Sequence, residues 1–510
     1  MAAAGNDEER TMSMTAGVSE EYRNYINGEW VDPADGRTTE NHDPANGELI
    51  GLFPRSSQAD VDRAVAAAKA AFESWRRTPA PKRGEVLYRV GRLLEERKED
   101  IARTLTREMG KVLVEARGDV QEAIDMAYYM AGEGRRLFGS IVPSELPNKA
   151  AYGVRDPIGV VACITPWNFP VAIPSWKTMA ALIAGNTVIL KPASDTPYSA
   201  VKFVEVFADA GLPAGVMNLV MGTGAEVGMP LVRHPDVAAI SFTGSNDVGR
   251  EVNVEAARAL KRVTLELGGK NAIIVLDDAD LDLAVDGILW SAFGTTGQRC
   301  TACSRLIVQR GARGDLERRL LGRIEQLRLG HGLAETTDVG PLVNASQLER
   351  VHSYMRVARD EGVRILCGGE PAREGDLAKG NFYRPTLFAD VKAGMRVEQE
   401  EIFGPVLSMI EVQSLEEAIA VNNDTKYGLS SSIFTTNINA AQTAMRDLTT
   451  GIVYVNAGTI GAEIQLPFGG TRGTGNGHRE AGLGALEFFT EWKAIYVDYS
   501  GKLQRAQIDA

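Results

Sequence analysis

The sequence predicts an α/β protein with two doubly wound, largely parallel sheets, and three observations lead to this prediction. From about Gly159, short apolar runs such as "VVACI" and "TVIL" alternate with segments of helical periodicity, which is typical of buried parallel strands joined by helices. A second series of the same kind runs from "NAIIVL" through "RLIVQ" to "IVYVN". The chain of 510 residues is also too long for one ordinary hydrophobic core. We therefore expect two α/β domains with a cleft between them.

The N-terminal part of the chain shows three successive patterns. Residues 1–19 are polar and acidic and lack an apolar signal-peptide centre, so we expect a flexible tail and no secretion. The segment 24–51 is punctuated by Asn-Gly, Asp-Gly and Pro, which predicts hairpin-like strands. Helical periodicity then dominates from about Gln58 to Phe138, and a serine N-cap signal precedes it.

From Gly159 the predicted strands and helices follow one another in regular alternation. The helix in "TPYSAVKFVEVFADAG" has Pro197 in its first turn and is expected to end before Gly211. Other predicted helices contain "WKTMAALIA", "AEVGMPLVR" and "DVGREVNVEAARAL". The strands of this series contain "VMNLVMG", "AAISFTG" and "VTLELGG", and the C-terminal "FFTEWKAIYVDYS" predicts a final strand.

Composition and charge limit the classes of partner. A hydrophobic content of 44% and a charged content of 24% are those of a soluble globular protein. No segment approaches the roughly 18–20 apolar residues of a membrane span. The formal net charge of -12 is spread along the chain, which argues against nucleic acid or an anionic membrane as a partner. Four cysteines are too few for a disulfide framework and fit a reducing, cytoplasmic location.

Two of the four cysteines lie three positions apart in "FGTTGQRCTACSR". A structural zinc site needs four ligands, and neither Cys163, Cys367 nor the histidines supply a matching pair, so we expect no metal. Cys303 leads into the strand-like "SRLIVQ" and is predicted to be a packed core thiol. Cys300 ends a glycine-bearing loop beside Arg299. It is either a buried thiol or a nucleophile whose thiolate the neighbouring positive charge favours.

Two further residues have chemistry that suits a cysteine nucleophile. Glu266 stands in the apolar "VTLELGGKN". It is either an edge-strand side chain that points to water or a desolvated carboxylate whose raised pKa suits a general base. Asn168, in "ITPWNFP", follows the end of a predicted strand. Its amide is either ordinary turn chemistry or an oxyanion donor that faces the cleft.

Seven motifs stand in a characteristic order along the chain: "PWNFP", "LKPASDTP", "FTGSNDVGR", "LELGGKN", "GQRCTA", "EEIFGPV" and "PFGG". With these motifs, and with similarity from about Tyr22 to Tyr499, the sequence resembles the aldehyde dehydrogenase superfamily. The resemblance implies a Rossmann-like cofactor domain, a catalytic domain of the same α/β class and a small β oligomerisation element. A catalytically idle scaffold of the same fold is the rival from another class. It is disfavoured because Cys300, Glu266 and Asn168 are all present in matching contexts.

The resemblance implies a covalent mechanism. Cys300 attacks the aldehyde carbonyl, and the oxyanion of the thiohemiacetal is held by the Asn168 side chain and the Cys300 backbone N–H. After hydride transfer to the nicotinamide, Glu266 activates the water that hydrolyses the thioester. CoA-acylating relatives often lack this glutamate. Lys177 matches a lysine implicated in proton relay, with Glu480 as its partner, or it is a solvated helix charge. The "GNGHREAG" around Glu480 is one residue longer than the commoner family pattern.

The resemblance also implies a site for NAD or NADP. Lys191 matches the lysine that reaches the adenosine ribose, and Glu401 matches the carboxylate that holds the nicotinamide ribose, with Phe403 near the nicotinamide. Ser194 stands where NAD-preferring relatives often have a glutamate that repels a 2′-phosphate. We therefore expect that NADP is accepted or preferred and that Lys191 pairs with its phosphate.

Other expected cofactor contacts lie on glycine-bearing segments. The spacing in "VMGTGAEVG" is not the dinucleotide fingerprint, so its glycines are assigned by resemblance. Gly244 and Ser245 either present backbone N–H groups to the pyrophosphate or form an ordinary serine N-cap. The residues assigned to the cofactor in this way are Trp167, Gly224, Gly228, Gly244, Ser245 and Gly268.

By similarity, a mostly apolar channel leads a short aldehyde to the cysteine. Arg299 either binds a distal carboxylate of the substrate or forms an internal salt bridge that positions the loop. The leading substrates are 2-oxoglutarate semialdehyde and succinate semialdehyde, and the alternatives are glyceraldehyde, aminoadipate semialdehyde and other aldehydes. The other expected lining residues, each with plain core packing as the alternative, are Phe169, Ile173, Trp176, Thr301, Ile460 and Phe468.

The expected domain boundaries follow the same similarity. The cofactor-binding domain comprises 20–138 and 157–266, and the catalytic domain comprises 267–485. The oligomerisation element comprises 139–156, as a protruding hairpin, and 486–510, whose strand adds to a neighbour's sheet. Because an unpaired strand edge of this kind tends to find a partner, we expect a homodimer or homotetramer.

Overall fold

The computed structural model describes residues 20–508, so the flexible tail predicted for residues 1–19 lies outside the described residues. The described strands are, in chain order, β1 (Asn24–Ile26), β2 (Glu29–Val31), β3 (Thr38–His42), β4 (Leu49–Pro54), β5 (Ser140–Pro143), β6 (Lys149–Pro157), β7 (Val160–Ile164), β8 (Thr187–Lys191), β9 (Met217–Leu219), β10 (Val237–Thr243), β11 (Arg262–Glu266), β12 (Asn271–Val275), β13 (Cys303–Gln309), β14 (Arg364–Cys367), β15 (Thr386–Ala389), β16 (Val406–Val412), β17 (Ser430–Phe434), β18 (Ile452–Val455) and β19 (Thr490–Asp498).

The α-helices cover both parallel sheets. In chain order they are α1 (Gln58–Arg77), α2 (Ala80–Glu96), α3 (Lys98–Met109), α4 (Leu113–Glu133), α5 (Ala172–Ala184), α6 (Pro197–Asp209), α7 (Met229–Arg233), α8 (Asn246–Ala257), α9 (Leu281–Phe293), α10 (Arg310–Ile324), α11 (Ala345–Asp360), α12 (Arg396–Gln399), α13 (Leu415–Asn423), α14 (Ile438–Asp447) and α15 (Gly482–Phe488).

The first sheet contains seven strands in the order β11-β10-β7-β8-β9-β1-β2. The strands from β11 to β9 are parallel, as the alternation of apolar runs and helices predicts. The β1–β2 hairpin extends this sheet, because Tyr25 of β1 pairs antiparallel with Leu219 of β9. The sequence predicts the hairpin but not its place beside a strand almost two hundred residues later.

The second sheet has the order β14-β15-β16-β13-β12-β17-β18. Its strands are parallel except for the antiparallel pair β14–β15. A small antiparallel sheet, β19-β6-β5, and the β3–β4 hairpin complete the strands of residues 20–508. The predicted fold class, two parallel-sheet units with a small additional β element, is confirmed.

Burial on both faces explains why several strands are continuous apolar runs. β7, β8 and β12 are buried at every position, as expected for parallel strands that helices cover on both sides. Helix α5 is also buried along its whole length. Helix α1 begins with the predicted serine signal, a capping box between Ser57 and Asp60.

The edge of the first sheet at β11 is covered by a segment from the far end of the second unit. Leu267 N donates to Thr474 O at 2.7 Å, and Leu265 N donates to Asn476 Oδ1 at 3.1 Å. The same Asn476 side chain donates to Val263 O at 2.7 Å. This amide therefore satisfies backbone groups that an edge strand otherwise exposes to water.

The predicted cleft lies between the two sheets. Residues that follow β7, β10 and β11 share one cavity with residues that precede β13 and β16. Side chains at the carboxyl ends of parallel strands in the first sheet thus face loops of the second unit, the usual place for a ligand site in an open α/β sheet.

Candidate active site

The loop before Cys300 has an unusual backbone conformation. Helix α9 ends at Phe293, and Thr295, Thr296 and Gly297 follow with φ values of 50°, 57° and 67°. The left-handed region is unfavourable for the β-branched threonines. A Cβ at residue 297 would collide with the carbonyl of Gly404, so glycine is required there. The surrounding structure must hold this loop in place.

A buried carboxylate on α4 holds the first strained residue. Glu115 accepts hydrogen bonds from Thr295 N at 2.8 Å and from Thr295 Oγ1 at 2.9 Å. Thr296 Oγ1 donates to Gly340 O at 2.9 Å. The polar groups of the two threonines thus have buried partners that compensate for the unfavourable backbone.

The residues on either side of Cys300 are fixed by amide side chains. Gln298 Oε1 accepts from Val343 N at 3.0 Å, and Gln298 O accepts from Asn168 Nδ2 at 3.0 Å. Asn271 Nδ2 donates to the carbonyl oxygen of Cys300 at 2.7 Å. These bonds join the nucleophile loop to the turn after β7 and to the start of β12.

Cys300 lies where two cavities meet. The first has a volume of about 340 Å³ and the second about 190 Å³, and the cysteine belongs to the lining of both. Every residue predicted to contact substrate lines the first cavity: Phe169, Ile173, Trp176, Arg299, Thr301, Ile460 and Phe468. The second cavity is lined by the predicted residues Trp167, Asn168, Gly244, Ser245, Gly268, Glu401 and Phe403.

The expected effect of Arg299 on the thiol is wrong. Arg299 Nε donates to Thr295 Oγ1 at 2.8 Å, and Nη2 lies 3.3 Å from a carboxylate oxygen of Glu115. Burial, followed by the charges of Glu266 and Glu401, raises the pKa of Cys300 to about 12. Because the guanidinium serves the loop, the sulfur requires a base rather than a neighbouring cation to form its thiolate.

Glu266 has the environment of such a base. It ends β11 at the sheet edge, but it does not point to water, because residues 474–476 cover that edge and its side chain is buried. Neither carboxylate oxygen has a hydrogen-bond partner among residues 20–508. Burial and the nearby Glu480 raise the pKa of Glu266 well above its usual value. Glu266 lines the same cavity as Cys300.

Lys177 and Glu480 form a buried ion pair behind Glu266. Lys177 Nζ donates to Glu480 Oε1 and also to Ser241 Oγ, the latter at 3.1 Å. The ammonium group is fully buried, so the interpretation of Lys177 as a solvated helix charge is wrong. Glu480 is held by paired backbone hydrogen bonds with Phe468, and the additional residue in its segment does not prevent the ion pair.

The cavity beyond Asn168 has features that fit a nicotinamide ribose and ring. Glu401 Oε1 accepts from Gly269 N at 2.8 Å, and burial raises the pKa of Glu401 to about 7. A Cβ at residue 268 would collide with the Glu401 carboxylate. Phe403 has a φ of 60° and meets Trp167 edge-on, with ring centroids 5.4 Å apart.

The segment of Gly244 and Ser245 was predicted either to present its backbone N–H groups to the pyrophosphate or to form a serine N-cap, and it matches these predictions only in part. Gly244 N already donates to Glu266 O at 3.1 Å, so this amide is not available to a pyrophosphate. The Ser245 side chain makes no capping bond to α8, so an ordinary serine N-cap is not present either. Of the backbone amides of Gly244 and Ser245, the one that can donate a hydrogen bond to an anion is therefore that of Ser245, at the start of α8.

The residues expected at the adenosine end lie outside these two cavities. Lys191 ends β8, burial lowers its pKa to about 8, and its ammonium group makes no hydrogen bond within residues 20–508. Gly224 and Gly228 bound a short π-helical turn, and a Cβ on either would meet open space. Ser194 lines a third cavity of about 80 Å³. An unpaired buried cation and an open glycine surface fit a dinucleotide phosphate and ribose.

Several residues that build the site have no local sequence signal. Glu115 and Asn476 act over long separations: Glu115 stands 180 positions before Thr295, and Asn476 bonds to Leu265, 211 positions away. Cys303, by contrast, is buried at the start of β13, so the prediction of a packed thiol is confirmed.

Within residues 20–508, no helix combines the length and the apolar character needed to span a bilayer.

Comparison with known proteins assigns the family. The model of the aldehyde dehydrogenase family matches residues 30–495. The chain belongs to the aldehyde dehydrogenase family. Its reaction is therefore the NAD(P)-dependent oxidation of an aldehyde, with catalysis by a cysteine, as the sequence motifs predict.

Named relatives of this aldehyde dehydrogenase match over nearly their full length. The α-ketoglutaric semialdehyde dehydrogenase of Bacillus subtilis (strain 168) is 43% identical over 93% of this chain and 98% of that protein. The glutarate-semialdehyde dehydrogenase of Pseudomonas putida is 39% identical over 93% of this chain and 97% of that protein. The betaine aldehyde dehydrogenase of Staphylococcus aureus, solved with NAD+, has a TM-score of 0.92 at 36% identity, covering 94% and 96% of the two chains.

The interaction between Glu115 and the nucleophile loop leads to a prediction. We expect Glu115→Gln to lower the free energy of unfolding by about 2–4 kcal/mol, because it removes a buried charge paired with Arg299 and an acceptor for Thr295. Chemical denaturation measures this change. Glu122→Gln is the matched control on the same helix, since Glu122 makes no hydrogen bond or ion pair with the loop. Equal stability losses in both variants would contradict the role of Glu115.

Proposed function

We propose that this aldehyde dehydrogenase oxidises a short semialdehyde that has a distal carboxylate, with 2-oxoglutarate semialdehyde and succinate semialdehyde as the leading substrates. The observation on which the proposal rests is Arg299, the one basic residue among the described residues that line the cavity containing Cys300. The lining also contains carboxylates, of which Glu115 is the ion-pair partner of Arg299. The guanidinium carbon lies 5.0 Å from the Trp290 ring centroid and 5.5 Å from that of Phe169. The names of the relatives from B. subtilis and P. putida support the same substrate class.

Arg299 forms an internal salt bridge and still has a guanidinium nitrogen that can donate to a substrate. Nε and Nη2 face Thr295 and Glu115, so the internal salt bridge considered from the sequence is present. Nη1 donates to no residue in the described part of the chain. A guanidinium fixed on two sides and free on a third suits charge-assisted hydrogen bonds to a carboxylate.

In the first half of the proposed reaction, Glu266 takes the proton of Cys300 and the sulfur attacks the aldehyde carbon. The oxyanion that forms is stabilised by the second N–H of the Asn168 amide, whose first N–H is bound to Gln298 O, and by the Cys300 backbone N–H. The Cys300 amide donates to no other residue among 20–508. A nicotinamide in the neighbouring cavity supplies the hydride acceptor.

In the second half, Glu266 takes a proton from the water that attacks the thioester on Cys300. It can do so because it has already passed on the proton that it took from Cys300, and as the acid leaves, Glu266 returns the water's proton to the sulfur. Glu480, whose charge contributes to the raised pKa of Glu266, and its partner Lys177 form a buried path that accepts the proton from Glu266. A general base with a raised pKa is matched to proton transfer near neutral pH.

The roles of Glu266 and Cys300 predict distinct outcomes. Glu266→Gln is expected to lower kcat by at least about 100-fold and to leave an acyl group on Cys300 that mass spectrometry detects, because hydrolysis loses its base. The remaining activity should rise with pH as hydroxide replaces the base. Cys300→Ala is expected to lose all turnover, whereas Cys303→Ala, which alters only a packed thiol, retains it. A Glu266→Gln enzyme within threefold of wild type would overturn the assignment.

The Arg299 proposal predicts a selective change in substrate binding. Arg299→Met is expected to raise KM for semialdehydes with a distal carboxylate by about 10–100-fold, the loss of one charge-assisted interaction. Neutral aldehydes of the same length should be affected less than threefold. Steady-state kinetics with both classes makes the comparison, and equal effects on both would show that Arg299 acts only through the loop.

We also propose that NADP is accepted or preferred over NAD. Ser194 is small and uncharged, and the unpaired Lys191 ammonium group is available to a phosphate. Ser194→Glu is therefore expected to raise KM for NADP at least tenfold and to change KM for NAD less than threefold, because it introduces a charge that repels the 2′-phosphate. A wild-type enzyme that favours NAD more than tenfold in kcat/KM would contradict the proposal.

The domain and assembly assignments belong to the same proposal. Residues 20–138 and 157–266 bind the cofactor, and 267–485 supply Cys300. Residues 139–156 and 486–510 join subunits into a homodimer or homotetramer. Exposed apolar side chains on β5 and β19 support this assembly, among them Ile141, Trp492 and Tyr496. The four cysteines are free thiols, which fits the proposed cytoplasmic location.

A further inference from the structure

The third cavity, at the carboxyl ends of β8 and β9, has a single charged side chain in its wall. The cavity lies between the end of β4, the segment after β8 and the glycine-bearing segment after β9. Its described lining residues are Thr39, Phe53, Pro54, Arg55, Ala193, Ser194, Pro197, Met221, Gly222 and Thr223. Arg55 is thus the one lining residue that can neutralise an anion beside Ser194.

Arg55 is held in place by a carboxylate on the π-helical turn. Its Nε lies 2.9 Å from Glu226 Oε2, and its Nη2 lies 3.0 Å from Glu226 Oε1, a two-point contact that fixes the plane of the guanidinium. Nη1 of Arg55 donates to no residue within 20–508. The contact with Glu226 therefore leaves one guanidinium nitrogen free.

Glu226 is itself neutralised from a second direction. Arg37 Nη1 donates to Glu226 Oε1 at 2.9 Å, and Thr223 Oγ1 donates to Oε2 at 3.0 Å. These hydrogen bonds to Arg55 and Arg37 lower the pKa of Glu226 to about 2, so it remains a fixed anchor. Two guanidinium groups thus share this one carboxylate, and that of Arg55 alone belongs to the lining of the third cavity.

Ser194 supplies space rather than a hydrogen-bond donor. Its hydroxyl hydrogen is used in the bond from Oγ to Gly222 O at 3.2 Å. An anion beside Ser194 therefore needs donors from elsewhere, and Arg55, which has one nitrogen without a partner in residues 20–508, lines the same cavity. A phosphate monoester has the oxygen geometry and charge that a guanidinium recognises.

We propose that Arg55 is a specificity-determining residue that binds the 2′-phosphate of NADP, and that Glu226 is the positioning residue that orients it. This inference rests on the proposed use of NADP. In it, Ser194 admits the phosphate, and Arg55 binds the phosphate oxygens from the cavity wall in addition to the pairing with Lys191 proposed above. NAD lacks the phosphate and gains nothing from Arg55.

Binding of two nucleotide fragments tests the proposal independently of turnover. Isothermal titration calorimetry on the full-length enzyme would compare adenosine 2′,5′-bisphosphate with adenosine 5′-diphosphate. Arg55→Gln is expected to weaken the 2′-phosphorylated fragment by about 10–100-fold, the range for a lost charge-assisted hydrogen bond, and to change the other less than twofold. KM for NADP should rise in parallel, with KM for NAD unchanged.

Arg37→Gln is the matched control. Arg37 pairs with the same carboxylate but does not line the cavity, so both fragments should bind within threefold of wild type. Arg55→Lys, which keeps the charge without the planar fork, should restore part of the affinity. Glu226→Gln should give a smaller selective loss than Arg55→Gln, because it frees the guanidinium without removing it.

The outcomes separate this inference from the proposed cofactor preference. A wild-type enzyme that binds the 2′-phosphorylated fragment no better than the other fragment overturns both. If the wild-type enzyme prefers the 2′-phosphorylated fragment and the Arg55→Gln variant keeps that preference, only the role of Arg55 is overturned. An Arg55→Gln variant that weakens both fragments equally shows a structural role and likewise overturns the inference.

Discussion

The position of one sulfur depends on a short stretch of left-handed backbone. Thr295, Thr296 and Gly297 turn the chain sharply after α9 and deliver Cys300 to the boundary of two cavities. A backbone stretch in this unfavourable conformation is stable only if the surrounding residues hold it through several contacts. Glu115 from α4 supplies most of that restraint through three hydrogen bonds to Thr295. The catalytic geometry is therefore set by a helix of the first unit acting on a loop of the second.

The position at the boundary of the two cavities also changes the pKa values of the catalytic side chains. The pKa of Cys300 and that of Glu266 are both raised, chiefly because both groups are buried. A thiol with a high pKa is inert until a base is placed against it. Attack by this sulfur therefore depends on proton transfer to Glu266, which lines the same cavity. Lys177 and Glu480 add a paired charge nearby, so the region contains acidic and basic groups without a net excess that would favour the thiolate.

Patterns local in sequence were enough to predict much of this structure. Continuous apolar runs identified β7, β8 and β12, because parallel strands are buried on both faces. The positions of Cys300, Glu266 and Asn168 follow from strand ends and loops. What failed were contacts between distant side chains: Arg299 was expected to serve its neighbour Cys300, but its partner Glu115 lies on another helix. The spacing of residues along the sequence does not identify partners that are distant in the chain. The placement of the β1–β2 hairpin beside β9 was missed for the same reason.

The covering of β11 by Asn476 has a consequence for synthesis. A ribosome makes the strand that ends in Glu266 long before it makes the segment that satisfies its outer edge. Until translation passes that point, the nascent polypeptide presents unsatisfied amide and carbonyl groups along a strand, a surface prone to pairing with other chains. The outer edge of the base-bearing strand is thus satisfied only late in synthesis, and truncated products that stop before residue 476 keep that edge exposed.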